Sequence, residues 1–341
     1  MLLFISIYLF ACTNKTAAPD VSGVKVNVTL QRFDKDFFEI DTTNMNESLQ
    51  KLQQKYPLFF KDYMLNILGV DDEMLQNNTA TKNIQYFIKS YKPLYDSSTK
   101  DFGNFNNQFA DIKQMLQYVK YYFSTYQLPL TITTFIGPID AAFKTSFGIQ
   151  SDIITAHTLG VGLQLHLGNS FSYYNTQQGL ELYPAYISNR FEQDNIAINL
   201  AKNIVDDIYP VTESDKPLIQ QMIEKGKRLF ILNSFVPKAV ENKLIGYTDE
   251  QMKACYTKEQ AIWDLFVKNG YLQITDKNII KNYLDESPKT QELGEGAPGN
   301  IGAFVGWQIV KKYMQKNAAT TLQQLINMDN DIVFQQAKYK P

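Results

Sequence analysis

The chain has 341 residues, a formal net charge of −2 and 44% hydrophobic residues. This length suffices for one large domain or two modest ones with an ample core. The near-zero charge argues against a protein that binds nucleic acid by electrostatic attraction. The arginines are only three, Arg32, Arg190 and Arg228, so a site that clamps phosphate or carboxylate with guanidinium groups has few candidates.

The N-terminus has the pattern of a bacterial lipoprotein signal. Residues 2–10 form an apolar run that is too short for a permanent membrane span, and Ala11 and Cys12 follow it. A small residue before a cysteine resembles a lipobox, in which the cysteine receives fatty-acyl chains such as palmitate. We therefore predict a signal peptide over residues 1–11, lipidation at Cys12, a lipid-anchored tether over 12–23 and a single domain over 24–341. The alternative is an ordinary signal sequence that ends in a thiol.

The periodicity of apolar residues predicts strands and helices in three sections. Residues 24–33 alternate like a half-buried strand, and residues 44–126 have helical spacing. Strands are predicted over 128–138, 152–160 and 161–171, and the chain after 184 is helical. Thr248 with Gln251 forms a capping box, and further helix starts are predicted at three threonines, Thr257, Thr275 and Thr320. The prediction is an α+β fold, a predominantly helical single domain with a small central sheet.

A G-x-G-x-x-G motif stands at residues 294–299. A dinucleotide-binding loop requires a buried strand directly before its glycines, whereas the preceding residues are polar. Pro298 also removes one of the amide donors that would hold a phosphate. We therefore predict no nucleotide site here.

The motif leads instead into an apolar helix, with Asn300 as its predicted N-cap. Gly302 and Gly306 lie four residues apart, on one side of that helix, and Trp307 follows them. Glycine in a helix costs about 1 kcal/mol relative to alanine. Two of them predict a close-packing motif at which another backbone approaches.

Residues with catalytic potential are few. His157 and His166 are nine apart, which on a continuous strand places them on opposite faces. A zinc site usually needs three protein ligands, so we predict no metal, no cofactor and no catalytic residue. Cys255 has no cysteine partner in the mature chain and is interpreted as structural. The alternative is a hydrolase in which both histidines converge with a carboxylate such as Glu192 or Glu224.

Tyrosine is abundant, with 21 residues, and several lie in the stretch FSYYNTQQGLELYPAY. Exposed aromatic rings can stack on sugars or build protein interfaces. A glycan-binding lipoprotein is therefore an alternative, and it predicts exposed, coplanar rings around Tyr173 and Tyr174.

Several motifs occur in an order that resembles the gliding motility lipoprotein GldB family of Bacteroidota. They include YPLFFKDYMLNILGV, LGVGLQLHLG, IGYTDEQMKACYTKEQAIWDLFVKNGYL and APGNIGAFVGWQIVKKYM, and the resemblance covers residues 28–330. It implies an envelope lipoprotein with a part in gliding over surfaces, and it supplies no biochemical activity.

The layout is also distantly similar to predicted zincin-type proteases, which carry His-Glu-x-x-His on a helix. The corresponding helix here reads DNIAINLAKNIVDD, with Asn199 and Asn203 at the ligand spacing, and a later helix carries Glu224 before Lys225. Asparagine is a poor zinc ligand and a lysine repels the ion. This resemblance implies a degenerate zincin-like fold that has lost its metal site.

These observations predict a lipid-anchored, periplasm-facing envelope protein that supports gliding motility through protein–protein interaction and without catalysis. Its expected partners are other envelope or motility proteins, together with the membrane through the lipid at Cys12. Nucleic acid and nucleotides are not expected partners. The alternatives are a zinc-type or metal-free hydrolase, such as a peptidase, and a glycan-binding envelope lipoprotein.

Overall fold

A computed structural model describes residues 18–76, 79–211 and 215–341 of the chain. Helices make up 59% of the structure and the strands form a small mixed sheet, which confirms the predicted α+β class. Within these described ranges, no helix has both the length and the apolar character needed to cross a membrane.

The central sheet has four strands in the order β1-β2-β6-β5. β1, β2 and β6 run parallel, and β5 pairs antiparallel with β6 at one edge. A separate antiparallel hairpin is formed by β3 and β4. The bounds are β1 (Thr29–Arg32), β2 (Thr131–Phe135), β3 (Phe143–Thr145), β4 (Gly148–Gln150), β5 (Ile153–Ile154) and β6 (Thr158–Gly162).

Strands β2 and β6 are buried along their whole length, as expected for parallel strands covered on both faces. β2 reads TITTF, a run of β-branched residues that suits such a position. Its buried threonines are paired, because Thr131 Oγ1 lies 2.8 Å from Thr158 Oγ1 on the neighbouring strand. The sheet is therefore an interior element with satisfied polar groups.

The helices before the hairpin pack over one side of the sheet around an aromatic core. The ring centroids of Phe33 and Tyr63 are 4.7 Å apart, and Tyr63 also meets Phe135 of β2. A short π-helix at Tyr63–Ile67 places the Tyr63 ring in this core. The helices are α1 (Phe33–Phe38), α2 (Met45–Lys55), α3 (Phe60–Asp62), α4 (Asp72–Gln76), α5 (Thr79–Phe102) and α6 (Asn106–Tyr122).

The second helical section follows the sheet and is centred on α10 and α15, two long helices that pack against each other. α9 lies between α10 and the sheet. The section comprises α7 (Gln177–Leu182), α8 (Ala185–Ser188), α9 (Ile196–Ile208), α10 (Leu218–Phe235), α11 (Glu241–Ile245), α12 (Asp249–Thr257), α13 (Glu259–Lys268), α14 (Lys277–Leu284), α15 (Ile301–Lys316), α16 (Leu322–Asn327) and α17 (Asn330–Ala337).

Glycines bring the backbones of α10 and α15 into contact. A Cβ atom added at Gly306 would lie 1.7 Å from the carbonyl oxygen of Met222, and one at Gly226 would lie 2.2 Å from the carbonyl oxygen of Gly306. At Gly302 an added Cβ would lie 3.0 Å from the carbonyl oxygen of Tyr283. Trp307, next along the helix, is fully buried. Real Cβ atoms do not come this close to backbone, so the crossing requires glycine at Gly226 and Gly306.

Asn300 precedes α15 directly, but the prediction that its side chain caps the helix is wrong. Asn300 has a left-handed backbone with φ of 54°, and its side chain makes no capping hydrogen bond. The loop before α15 is instead fixed by Tyr247, whose hydroxyl donates to the carbonyl oxygens of Gly299 and Asn300.

Three predicted strands differ from the observed ones. The strand predicted over 152–160 contains β5, a turn and the first residues of β6, so its predicted end falls inside β6. Of residues 24–33, only 29–32 join the sheet, and Phe33 already begins α1. Residues 163–171 form no strand; a 3-10 turn at Leu163–Leu165 follows β6. The reason is pairing, because β2 ends at Phe135 opposite Gly162 and leaves the continuing chain without a neighbour.

The described end of the predicted tether packs on the domain. Val21 is buried, and the carbonyl oxygen of Val24 accepts a hydrogen bond of 3.0 Å from Gln117 Nε2 on α6. The chain therefore contacts the domain at Val21 and Val24. Cys12 and the predicted signal peptide lie outside the described residues.

Candidate functional site

The β3–β4 hairpin is fixed to the two helices beneath it. At its tip, the backbone N–H of Ser146 donates to Asp206 Oδ2 of α9 at 2.8 Å, and the Ser146 hydroxyl donates to the same carboxylate. Arg228 of α10 approaches Asp206 from below, with Nε 3.7 Å from Oδ1. Its guanidinium also donates to the carbonyl oxygen of Tyr209 and stacks on the Tyr209 ring. The hairpin tip therefore has a rigid base.

An ion pair lies against the hairpin. Arg190 Nη1 is 2.6 Å from Glu286 Oε1, and the two side chains are 17% and 25% exposed. The Glu286 carboxylate rests on Gly148, where an added Cβ would lie 2.4 Å from it. The Arg190 side chain rests in the same way on Gly246, at 3.1 Å. Both glycines have positive φ, 113° and 83°, so a side chain at either position would be strained and would also disturb the pair.

Two lysines complete this group. Lys202 of α9 is buried, and its ammonium donates to Asn199 Oδ1 at 3.3 Å. Burial and, to a smaller extent, the charge of Arg190 lower the pKa of Lys202 to about 7, although the charges of Glu286 and Asp152 oppose the shift. Lys225 of α10 donates to the carbonyl oxygen of Ser146 at 3.4 Å, and burial lowers its pKa as well. We call Arg190, Lys202, Lys225 and Glu286 the charged cluster.

Two small cavities flank the charged cluster. One, of about 20 Å³, is lined by Lys225, Arg228 and Asn300 among others, and the second, of about 10 Å³, is lined by Arg190 and Lys202 among others. A cavity of this size holds roughly one water molecule. A ligand can therefore enter only where a protein group moves away.

Charged groups in this position do not serve stability alone. Removing two charges from water costs several kcal/mol per ion, which their attraction often fails to recover. Replacing such a pair with apolar residues of similar volume is often neutral or stabilising. Three basic side chains, half-buried to buried, that gather near the Glu286 carboxylate therefore suggest a role in recognition.

The three positions assigned to a degenerate metal site do not converge. Asn203 Oδ1 accepts a hydrogen bond of 2.6 Å from Gln150 Nε2 of the hairpin, and Asn199 binds Lys202, so α9 presents both amides to the charged cluster. Glu224 of α10 instead pairs with Lys216 and accepts from Asn330 of α17. In the described part of the chain, no group of three or more His, Cys, Asp or Glu residues is placed to hold a metal ion.

The two histidines lie at opposite ends of β6. His157 is exposed in the β5–β6 turn. His166 follows the strand, is fully buried and binds Asp152, with Nε2 2.8 Å from Oδ2. Its Nδ1 faces the carbonyl oxygen of Glu192 at 3.3 Å. Both ring nitrogens thus face acceptors, and neither is left to take a proton from a substrate. The hypothesis that both histidines converge with Glu192 or Glu224 is wrong.

The tyrosine pair predicted for sugar stacking is not exposed. Tyr174 is buried, and its hydroxyl donates to the carbonyl oxygen of Gln164. Its ring meets Phe191 edge-on, at an interplanar angle of 69°. Tyr173 is only partly exposed, so the expected coplanar surface at these two positions is wrong.

Cys255 is buried in α12, and burial raises the pKa of its thiol to about 12. The thiolate is the nucleophilic form of cysteine, so this side chain is unreactive in the folded protein. The thiol behaves as a small apolar group of the core.

Fold and site together define a predominantly helical α+β protein with a charged cluster held between a hairpin and two central helices. Residues 14–341 match the family described as gliding motility protein GldB, and the chain belongs to that family. Membership makes it a gliding motility lipoprotein associated with the cell envelope. Neither a curated protein nor a solved structure matches the chain significantly, and nothing supports the resemblance to zincin-type proteases.

Lys202 and Glu286 were missed as site residues from the sequence, and Arg190 was named only as one of three arginines that could clamp an anion. One signal was present on α9, where Asn199, Lys202, Asn203 and Asp206 fall at helical spacing and form a polar stripe. A polar stripe on a helix whose other residues are buried predicts either solvent or a polar site beneath it. Glu286 has no comparable signal, because its loop reaches the hairpin only through the tertiary fold.

Proposed function

We propose that this protein is a lipid-anchored, periplasm-facing envelope component that supports gliding motility by binding other envelope proteins, without catalysis. The family match over residues 14–341 carries the proposal. Anchoring would come from acyl chains on Cys12, since each buried CH₂ contributes about 0.8 kcal/mol and two chains give stable attachment. The domain would then act within reach of the membrane.

Side-chain chemistry supports binding over catalysis. Both nitrogens of His166 are engaged, His157 is exposed at the other end of β6, and the thiol of Cys255 is buried with a raised pKa. Small-molecule sites usually have volumes of about 300–1,000 Å³, far above those of the two cavities at the charged cluster. The charged cluster is thus better suited to contact a side chain of another protein than to enclose a small molecule.

The anchor and the motility role can be tested together in a gliding bacterium that lacks its own family member. We expect the chain to restore colony spreading and to incorporate labelled palmitate. Cys12→Ser should abolish the label, release the protein from the membrane fraction and abolish spreading. Cys255→Ser is the matched control and should retain all three properties. Full spreading by an unlabelled Cys12→Ser protein would contradict the anchor.

A metal-dependent activity is tested by the metal content of the full-length protein, purified without added zinc. We expect less than one zinc per chain and no change on treatment with a chelator. One tightly held zinc per chain, lost in His166→Gln and retained in His157→Gln, would instead assign a metal-dependent function.

A further inference from the structure

Arg190 is incompletely paired in the charged cluster. Its Nη1 contacts Glu286 Oε1, whereas Nη2 is buried and has no hydrogen-bond acceptor among the residues that the structure describes. An arginine and a carboxylate commonly form two parallel hydrogen bonds, and a buried donor left unpaired costs about 1–3 kcal/mol. Glu286 therefore fits Arg190 less well than a carboxylate free to choose its orientation.

Two lysines also lie near this ion pair. Lys202 and Lys225 both lie close enough to Glu286 for its charge to affect their pKa values. Asn203 Nδ2, on the buried side of α9, likewise has no acceptor within the described structure. Glu286 thus leaves Arg190 only partly paired. The two lysines are also influenced by the carboxylates of Asp152, Asp206 and Asp285.

We propose that Arg190, Lys202 and Lys225 form a carboxylate-binding site, that Glu286 fills it in the free protein, and that an acidic side chain of a partner protein displaces Glu286. This inference rests on the proposed function, because it names the chemistry by which the protein recognises a partner. The cavities hold about one water each, so an incoming carboxylate needs the place that Glu286 vacates.

The exchange is feasible in charge and in access. One carboxylate replaces another, so the net charge of the charged cluster does not change. Glu286 is 25% exposed and lies directly after α14, in the segment that joins α14 to α15, so its side chain can turn into water without unfolding a helix. The Gly148 surface beneath it then accepts the planar ligand group, because no Cβ stands in the way.

The site itself is tested with acetate on the full-length protein in detergent. Glu286→Ala vacates the place, and we expect acetate, compared with chloride at equal ionic strength, to raise its unfolding temperature but not that of the wild type. Adding Arg190→Met to Glu286→Ala should abolish the effect. Glu295→Ala is the control, since Glu295 is an exposed carboxylate on the same segment. Equal effects of acetate on Glu286→Ala and Glu295→Ala would refute the site.

The partner is tested with a capped peptide that carries a single glutamate between glycines, and with its glutamine counterpart. If the free protein leaves the site open for roughly a tenth of the time, removing Glu286 raises the apparent affinity for the glutamate peptide about tenfold. Glu286→Gln, which keeps the side-chain volume, should act in the same direction and serves if Glu286→Ala does not fold.

No gain for the glutamate peptide over the glutamine peptide, or a response to acetate alone, would overturn the proposal of a protein partner. These measurements need neither acylation nor motility. A failed carboxylate site and a failed motility role therefore give separate results.

Discussion

Helix α10 borders two regions that are built on opposite principles. Gly226 faces α15, where the two backbones touch, and the neighbouring Lys225 faces the hairpin and the charged cluster. The α10–α15 crossing is held by shape and contains no room for one more carbon atom. The charged cluster is held by charge and leaves buried donors unpaired.

The difference separates what maintains the fold from what is available for recognition. Protein interiors are packed as densely as crystals, so an atom added at a crossing without free volume strains the two helices. A half-buried ion pair contributes little net stability, and replacing the whole pair with apolar residues is often neutral or stabilising. We expect substitutions at the crossing to destabilise the protein strongly and substitutions in the charged cluster to change binding and pH dependence.

The largest effect is expected from Gly306→Ala. The added Cβ would lie 1.7 Å from the Met222 carbonyl oxygen, so α15 must move away from α10 over its buried length. We expect a loss of about 4 kcal/mol or more in the free energy of unfolding, despite the better helix propensity of alanine. The measurement is urea unfolding followed by circular dichroism. Gly23→Ala, where an added Cβ meets nothing within 4 Å, is the control, and equal losses in both variants would disprove a tight crossing.

The Asp152–His166 pair sharpens the comparison, because it is a buried hydrogen-bonded contact whose groups are all engaged. Asp152 also accepts the backbone N–H of Gly162 at 3.0 Å. Breaking a buried pair leaves an uncompensated group, so we expect Asp152→Asn to lose about 3 kcal/mol. His157→Gln changes an exposed ring and should leave unfolding unaffected. If Asp152→Asn lowers the free energy of unfolding by less than about 0.5 kcal/mol, as a typical surface substitution does, the pair contributes nothing to stability.

Sequence reasoning reached the crossing because its signal is local. Gly302 and Gly306 stand four apart in one helix, and two glycines in an apolar helix already predict a close approach. The capping box of Thr248 and Gln251 is confirmed for the same reason, since all of its atoms lie within one turn.

Other helix starts were predicted wrongly, because several residues near each start can serve as caps. Thr257 ends α12 instead of beginning α13, Asp276 caps α14 in place of Thr275, and Thr321 caps α16 in place of Thr320. For α14 and α16 the neighbouring polar residue offered the same chemistry, whereas Lys258 precedes α13 without a side-chain cap.

The charged cluster lay beyond sequence reasoning because its members come from four separate segments. Arg190 follows α8, Lys202 belongs to α9, Lys225 to α10, and Glu286 follows α14. Each is an ordinary charged residue in its own segment. Only the parallel sheet and the hairpin above α9 bring them together, and no local spacing encodes that arrangement.

Within the charged cluster, Lys202→Met is expected to stabilise the protein in a pH-dependent way. The pKa of Lys202 falls from 10.5 to about 7 on folding, so between these values the unfolded state holds more protons and stability rises with pH. Below about pH 7 the buried charge costs the folded state most, and there we expect Lys202→Met to gain about 1 to 2 kcal/mol.

The advantage of Lys202→Met should shrink as the pH approaches 10.5, the ordinary pKa of the side chain. Urea unfolding of wild type and variant at several pH values measures it as a difference, in which the tyrosine titrations cancel. Lys144→Met, on the exposed face of β3, is the control and should show no such trend. A constant difference across the pH range would mean that Lys202 is neutral throughout, or charged throughout.

The smallest effect is expected from Lys311→Met, which tests whether a charged side chain next to the α10–α15 crossing stabilises the fold. Lys311 Nζ lies 3.9 Å from the centre of the buried Trp307 ring and donates to Glu241 Oε1 at 2.7 Å, one turn beyond Gly306. A cation above an aromatic face contributes about 0.5–1 kcal/mol at a partly exposed site, so Lys311→Met should lose that amount in urea unfolding. Lys312→Met removes an exposed lysine from the next position and should lose no stability.

The salt dependence of the loss identifies its cause. If the loss at Lys311 disappears in about 1 M salt, it comes from the ion pair with Glu241, because salt screens partly exposed charges over a few ångströms. If it persists, the contacts with the Trp307 ring and the Tyr256 hydroxyl hold Lys311, and a lysine at the edge of the crossing stabilises the fold where charge under the hairpin does not.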